Sequence, residues 1–182
     1  YQPDTLTLRG NVADPTQVTP IGLNGGRLAD AMEDLFSAVD DEIMFGAMSM
    51  DDVLELIEWA SDIHITKPRK SNLNPGVPST RQVIEFHDRF LKDKSVFTGY
   101  DASEGALYVL FMLTLAMHPD VPGMFAIDSF DHALNPRLAK RITEIFSQLI
   151  IESGKTVFMT THNPLVLDGL NLADERIRLF AI

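Results

Sequence analysis

The most informative segment of the chain reads Met124-Phe-Ala-Ile-Asp-Ser-Phe-Asp-His-Ala-Leu-Asn-Pro136. Four apolar residues followed by an aspartate predict a buried strand that presents the Asp128 carboxylate at its C-terminal end. A carboxylate at such a strand end can bind Mg²⁺ beside a phosphate ligand. A plain core strand, followed by a turn and a helix that begins at Pro136, explains the same pattern without any chemistry.

The rest of the C-terminal half alternates helical and strand-like patterns. Asn135-Pro136 offers a capping residue followed by proline at the first helical position, and Ser153-Gly154 is a helix stop signal. This alternation predicts an α/β fold, with a parallel or mixed sheet flanked by helices. The predicted helices cover residues 103–117, 136–152 and 164–170, and the predicted strands cover residues 124–128, 156–160 and 176–181.

The N-terminal half has a different pattern. Residues 1–26 are rich in Pro, Asp, Thr and Gly, which predicts a loop-rich start with one short strand at residues 5–9. Helices are predicted from Arg27, where apolar residues as far as Val39 recur at helical spacing, and after Ser49, which begins a capping-box pattern.

Two β-leaning runs, at residues 82–87 and 95–98, predict a hairpin that leads into the C-terminal half. We therefore predict two regions. The first, residues 1–81, is mainly helical with a loop-rich start and a basic, proline-rich loop near its end. The second, residues 82–182, is an α/β lobe.

Composition limits the kinds of partner. The chain has 182 residues, no cysteine and a net charge of −11. Disulfides and cysteine-ligated zinc are excluded, nothing indicates secretion, and a cytoplasmic location is the expectation. No apolar run approaches the roughly 20 residues that a membrane span needs. The negative charge argues against a nonspecific nucleic-acid groove, although DNA binding is not excluded.

One small basic island departs from this acidic average. It consists of Lys67, Arg69, Lys70 and Arg81, in and beside the proline-rich loop. Such an island fits a solvated loop, and it also fits a contact with a phosphate backbone or an acidic partner.

Three segments together resemble a known family. Gly99-Tyr-Asp-Ala-Ser-Glu-Gly105 precedes the strand that ends at Asp128, and Thr160-Thr-His-Asn-Pro164 follows the next predicted strand. In this order and spacing they resemble the signature, Walker B with D-loop, and switch-histidine segments of ABC-type ATPases, especially the RecF/SMC/OLD-like branch. The resemblance covers residues 99–182 well and the first hundred residues loosely. It implies the C-terminal part of an ABC-type P-loop ATPase head.

The resemblance also implies roles for individual residues. Asp128 would bind Mg²⁺, and His162 would contact the γ-phosphate of ATP and sense its presence. Ser103 and Gly105 would reach across a head-to-tail dimer to the γ-phosphate held by the partner subunit. Asn135 lies in the segment that corresponds to the D-loop, which links the two sites of the dimer. ATP and Mg²⁺ are the implied cofactors.

The sequence departs from the family at the catalytic base. A glutamate normally follows the Walker B aspartate and polarises the attacking water, but here the position is Ser129. General-base assistance is typically worth about 10²–10⁴-fold, so its loss predicts hydrolysis slowed by roughly 3–5 kcal/mol of barrier. Asp131 corresponds to the second acidic residue of the family pattern, and it is the alternative base.

A second departure concerns the phosphate-binding loop. No Gly-x-x-x-x-Gly-Lys-Ser/Thr occurs in the chain, and the glycine-rich run from Gly22 to Arg27 lacks both the spacing and the lysine. We therefore expect an N-terminal lobe that carries this loop to precede Tyr1. Without its amides, tight ATP binding by the chain alone is not expected.

Three functions remain open from the sequence. The first is a nucleotide-dependent dimer or higher oligomer with slow ATP hydrolysis, acting in DNA maintenance or antiphage defence beside an effector such as a nuclease. The second is a non-hydrolysing scaffold that keeps the ATPase shape for assembly. The third is a metal-dependent hydrolase in which Asp128, Asp131 and His132 together bind an ion, although successive residues after a strand seldom converge on one metal.

Overall fold

The computed structural model describes residues 1–10, 13–15, 17–38, 44–69, 82–92 and 96–181. These residues form a mixed α/β fold in which small sheets are flanked by helices. In chain order the elements are α1 (Thr5–Gly10), α2 (Leu28–Ser37), β1 (Met44–Phe45), β2 (Met48–Ser49), α3 (Met50–Leu56), β3 (Ala60–Thr66), β4 (Val83–Asp88), β5 (Val96–Thr98), α4 (Glu104–Met117), β6 (Met124–Ile127), α5 (Pro136–Glu152), β7 (Thr156–Met159) and α6 (Pro164–Asp168).

The unit β6–α5–β7 is the part of the fold that positions the candidate site. β6 and β7 pair in parallel, from Met124 opposite Thr156 to Ile127 opposite Met159. Parallel neighbours need a crossover connection, and α5 supplies it. The two strands therefore end at the same edge, so Asp128 and Thr160, the residues that follow them, lie side by side.

α4 forms the centre of the core. Every residue from Ala106 to Ala116 is buried, and a helix that is apolar all round is stable only when it is covered on all sides. It packs against α1, α2 and α5. At its C-terminal end the Lys155 ammonium donates hydrogen bonds to the carbonyls of Leu115, Ala116 and His118, at 2.7–3.0 Å. These bonds satisfy carbonyls that a helix end leaves unpaired.

A second, antiparallel sheet has the order β3-β4-β5. The β4–β5 pair confirms the predicted hairpin within the described residues, whereas β3 is an additional strand that the sequence patterns do not predict. Its sequence alternates polar and apolar residues, and Ile63 faces Phe86 of β4 in the core. Because β3 lies before residue 81 and β4 after it, this sheet contains strands from both predicted regions.

Two predicted strands are absent from the structure. Residues 5–10 form α1, because the Asp4 carboxylate accepts hydrogen bonds from both the backbone and the hydroxyl of Thr7 and so caps the helix. Residues 176–181 form no strand and find no strand partner among the described residues. The Asp174 carboxylate instead pairs with the Arg176 side chain in a local turn, and Phe180 is 78% exposed.

Other predicted features agree with the structure or fall outside it. Ser49 caps α3 by accepting from the Asp52 amide, as the capping-box pattern predicts. Val39 and the basic loop from residue 70 to residue 81 lie outside the described residues. Among the described helices, none combines the length and the apolar character needed to cross a bilayer.

Candidate functional site

The carboxyl ends of β6 and β7 are tied together through one threonine. The Thr160 hydroxyl donates to Oδ1 of Asp128 over 2.5 Å and accepts from the Ser129 amide over 2.9 Å. The Thr160 carbonyl also accepts from the Phe130 amide at 2.8 Å. Asp128 and Thr160 are both exposed, so a carboxylate and a hydroxyl, both oxygen ligands of the kind Mg²⁺ prefers, reach solvent at one strand edge.

Ser129 sits in a sharp turn directly after this edge. Its φ of 54° is in the left-handed region, which few residues other than glycine adopt and which often occurs at functional sites. The buried Tyr108 hydroxyl donates to the Ser129 carbonyl at 3.3 Å. Burial raises the pKa of Tyr108 well above its usual range, and the negative charges of Asp131 and Asp128 add to the rise. Tyr108 therefore remains a neutral donor that supports the turn.

The Asp131 loop is tied to the segment that follows β7. The Thr161 hydroxyl donates to Oδ1 of Asp131 at 2.6 Å and accepts from the Asn163 amide at 3.0 Å. The Asn163 side chain in turn accepts from the Leu165 amide and caps α6. His162 lies between these anchored residues, and it is exposed. The loop that carries His162 thus begins at the edge where Asp128 lies.

The three predicted cofactor-binding residues lie together in a cavity, apart from the strand edge with Asp128. Ser103, Gly105 and Asn135 line a cavity of about 670 Å³ that does not include Asp128, Asp131 or His162. The side chains of Ser103 and Asn135 already have structural partners, since they accept from backbone amides and cap α4 and α5 at 3.3 and 2.9 Å.

Gly105 makes a close contact with the loop before α5. A Cβ atom at this position would lie 3.0 Å from the Ala133 carbonyl oxygen, so the absence of a side chain permits the approach. The N-terminal end of α4 and the loop after Asp131 therefore pack together within one chain. The cavity beside them has a mixed wall, with Arg137, Lys140 and Arg141 as its basic lining residues.

The chain matches one protein family. That family is described as "AAA domain, putative AbiEii toxin, Type IV TA system", and the match covers residues 26–168. The chain belongs to this AAA domain family. Membership places it among P-loop ATPases of the AAA type, a class that binds nucleotide, typically with Mg²⁺. No curated protein and no solved structure matches the chain.

The candidate residues of the AAA domain thus form two groups. Asp128, Asp131 and His162 belong to the loops after β6 and β7, and Ser103, Gly105 and Asn135 belong to the cavity. The roles that the resemblance assigns to these six residues stay predictions.

A three-ligand metal site at Asp128, Asp131 and His132 is not formed. Within the described part of the AAA domain, the three side chains do not bring ligand atoms together, because His132 Nε2 pairs with Glu104 Oε1 at 3.2 Å instead. The group of metal-ligating side chains that does converge lies on β3 and β4. The metal-dependent hydrolase alternative therefore lacks the three metal ligands that it requires.

Sequence reasoning missed Glu104, which connects three parts of the chain. Its carboxylate accepts from the Thr5 hydroxyl of α1 and pairs with His132 of the turn after β6. The Thr5 hydrogen bond, and after it the interaction with His132, hold the pKa of Glu104 below its usual value against the opposing effect of partial burial. In the sequence, the signal for this role is that Glu104 is an acidic residue in the first turn of α4.

The glycine-rich run before α2 is not an open anion site. The Asp14 carboxylate accepts from the amides of Asn24 and Gly26, at 3.0 and 3.3 Å. Amides that cradle a phosphate must be free to donate to it. The glycine-rich run therefore binds a carboxylate of its own chain, in agreement with the absence of the lysine that a phosphate-binding loop requires.

Proposed function

We propose that the AAA domain binds Mg²⁺-nucleotide at the carboxyl ends of β6 and β7, with Asp128 as the metal ligand. The observation that carries the proposal is the short hydrogen bond from the Thr160 hydroxyl to Asp128. It holds an exposed carboxylate at the edge of a parallel sheet, where α/β proteins usually bind phosphates. The RecF/SMC/OLD-like branch of ABC-type ATPases remains our proposal for the subfamily.

Hydrolysis at this site is slow in our proposal. Ser129 occupies the position of the general base, and a serine hydroxyl is too weak a base near neutral pH to replace a glutamate. Asp131, the alternative base, has one carboxylate oxygen engaged by the Thr161 hydroxyl. A water molecule must therefore be activated through the other oxygen, or by the partner subunit.

The residues of the cavity fit a role between subunits. Ser103, Gly105 and Asn135 lie apart from Asp128 in one chain, so they serve the nucleotide bound by a second copy in the proposed dimer. A nucleotide-gated dimer or higher oligomer could then control an effector, in a toxin–antitoxin or antiphage defence system. The net charge of −11 does not favour DNA as the ligand of this surface.

The second candidate function is a non-hydrolysing scaffold. It is favoured by Ser129, which removes the general base while leaving the Asp128–Thr160 pair intact. A scaffold of this kind would still bind nucleotide and dimerise. A nucleotide-binding measurement therefore tests the site under both candidate functions. A measurement of ATP turnover distinguishes the slow ATPase from the non-hydrolysing scaffold.

The decisive experiment for the site compares two aspartate variants of the complete protein. In Asp128→Asn the metal ligand loses its charge, and we expect Mg²⁺-dependent ATP affinity to fall at least about tenfold. Asp120→Asn is the matched control, because Asp120 is an exposed carboxylate in the loop before β6, and its affinity should not change. Equal affinities for the two variants would overturn the proposal.

A further inference from the structure

A second group of ligand-type side chains lies on the solvent-facing side of β3 and β4. We propose that Asp62, His64 and His87 form a binding site for a divalent transition-metal ion of the zinc class, with Glu85 as a positioning residue. One ligand atom from each of the three lies within 4.8 Å of the other two. This site belongs to the antiparallel sheet, and it does not depend on the proposed nucleotide function.

The strand register creates the group. Asp62 lies opposite His87, and His64 lies opposite Glu85, so the four residues form two adjacent cross-strand pairs on one face. Direct cross-strand partners have Cβ atoms about 4.5–5.5 Å apart, which is close enough for side chains to share an ion. The opposite face carries Ile63 and other core residues. The backbone of the site is therefore held by the sheet and its core.

An irregularity in β3 lies directly before this register. The pairing shifts between Ala60 and Asp62, so that Ser61 is the extra residue of a bulge. From Asp62 to Thr66 the register is continuous, and this stretch places Asp62 opposite His87 and His64 opposite Glu85. The Ser61 hydroxyl donates to the His87 carbonyl at 3.1 Å and holds the shifted register in place.

The distances within the group are compatible with a shared ion. His64 Nδ1 lies 3.3 Å from Asp62 Oδ2, and the rings of His64 and His87 are 5.2 Å apart. A tetrahedral zinc ion with bonds of about 2.0–2.2 Å places its ligand atoms roughly 3.3 Å apart. Asp62 is exposed and His64 and His87 are half-buried, so small rotations of these side chains would reach that spacing.

Glu85 occupies the position of an orienting carboxylate. It is 8% exposed, and its Oε1 lies 3.0 Å from His64 Nε2 and 3.7 Å from His87 Nε2. Metal-bound histidines usually donate their second ring N–H to such a carboxylate, which orients the ring and strengthens it as a ligand. Glu85 contacts both imidazoles and so is placed to orient both.

Ligand chemistry selects the class of ion. Two imidazoles with one or two carboxylates suit zinc and similar transition metals, whereas Mg²⁺ and Ca²⁺ prefer all-oxygen sites. The chain has no cysteine that would compete for the same ion. Bound between β3 and β4, the ion would link two strands that are separated in sequence by residues 67–82. The expected role is to stabilise that sheet.

Zinc titration of the complete protein by calorimetry tests the site. We expect one equivalent to bind, His87→Gln and Asp62→Asn to weaken it at least about 100-fold, and Glu85→Gln to weaken it about tenfold. His132→Gln is the matched control, because His132 is also an exposed imidazole beside a glutamate, at 3.2 Å from Glu104. Its zinc affinity should equal that of the unmodified protein.

A second measurement avoids variants that fail to fold. In the unmodified protein, one equivalent of Zn²⁺ should shift the imidazole NMR signals of His64 and His87 and leave those of His132 and His162 unchanged, and Mg²⁺ should shift none of them. The proposal is overturned if zinc does not bind, if it perturbs other histidines equally, or if His87→Gln folds and binds zinc as tightly as the His132→Gln control.

Discussion

The Thr160 hydroxyl donates to the Asp128 carboxylate across the ends of two parallel strands, at a distance of 2.5 Å. The same hydroxyl accepts from the Ser129 amide, so one side chain fixes both the proposed metal ligand and the residue at the base position. The backbone positions of all three residues are set by the β6–β7 register. Thr160 is therefore the residue through which the fold controls the geometry of the site.

Removing this hydroxyl should weaken nucleotide binding. Thr160→Val keeps the β-branched shape but leaves the Ser129 amide and the Asp128 carboxylate without their shared partner. Hydrogen bonds to charged groups contribute about 1.5–3 kcal/mol, so we expect Mg²⁺-dependent ATP affinity to fall about tenfold. Thr160→Ser retains the hydroxyl and is the control. If the Thr160→Val and Thr160→Ser variants bind ATP equally well, the hydroxyl does not contribute to nucleotide binding.

The Asp131 side chain can be tested as the source of residual hydrolysis. If Asp131 activates water, Asp131→Asn should lower the remaining turnover by about 10²-fold or more. Thr161→Val removes the hydrogen bond to Asp131 Oδ1 and leaves the carboxylate in place, so it should preserve most of the turnover. Single-turnover ATP hydrolysis distinguishes the two. Equal losses in both variants would assign Asp131 to loop structure instead of catalysis.

Gly169 should be essential to the packing of α6 on α5. A Cβ atom there would lie 2.5 Å from the Lys140 carbonyl oxygen and 2.8 Å from Thr143 Cβ. Gly169→Ala is therefore expected to lower the free energy of unfolding by about 1–3 kcal/mol in urea denaturation. Gly123→Ala, where a Cβ would have no neighbour within 4 Å, should change it by less than about 0.5 kcal/mol. A similar effect at both glycines would contradict the described packing.

The Glu104 network gives the protein a defined acid sensitivity. Because the folded-state pKa of Glu104 is lowered from 4.5, its stabilising contribution is complete above that pH and is lost as the pH falls through the lowered value. Glu104→Gln should therefore flatten the decline of unfolding free energy below pH 4.5. Urea denaturation of both proteins across this range measures the difference. If the unfolding free energies of both proteins decline in parallel, Glu104 does not contribute to the acid sensitivity.

Much of the β6–α5–β7 unit could be predicted from the sequence. Its strands are short apolar runs, and its helix carries a capping asparagine followed by Pro136 and ends before Gly154. These local signals coincide with the tertiary contacts, so the predicted ends differ from the observed ones by at most a residue. The position of Asp128 directly after β6 follows from the same signals, although its role does not.

Other features depend on contacts between distant residues. The alternation of Thr and Leu predicts a strand where α1 lies, but Asp4 caps a helix there and Thr5 bonds to Glu104, which lies far away in the sequence. The Asp62-x-His64 and Glu85-x-His87 patterns are visible in the sequence, yet only the register of β3 on β4 brings them face to face. Residue spacing alone does not show which residues of two strands lie opposite each other.

ATP turnover by the complete protein with Ser129→Glu tests most directly whether Ser129 is the cause of slow hydrolysis. A glutamate restores the general base, while Ser129→Gln has the same size and the same left-handed backbone cost without a base. We predict very slow turnover for the unmodified and Gln proteins, and an increase of about 10²-fold or more for the Glu protein. Rapid hydrolysis by the unmodified protein, or equal rates for Glu and Gln, would contradict the account.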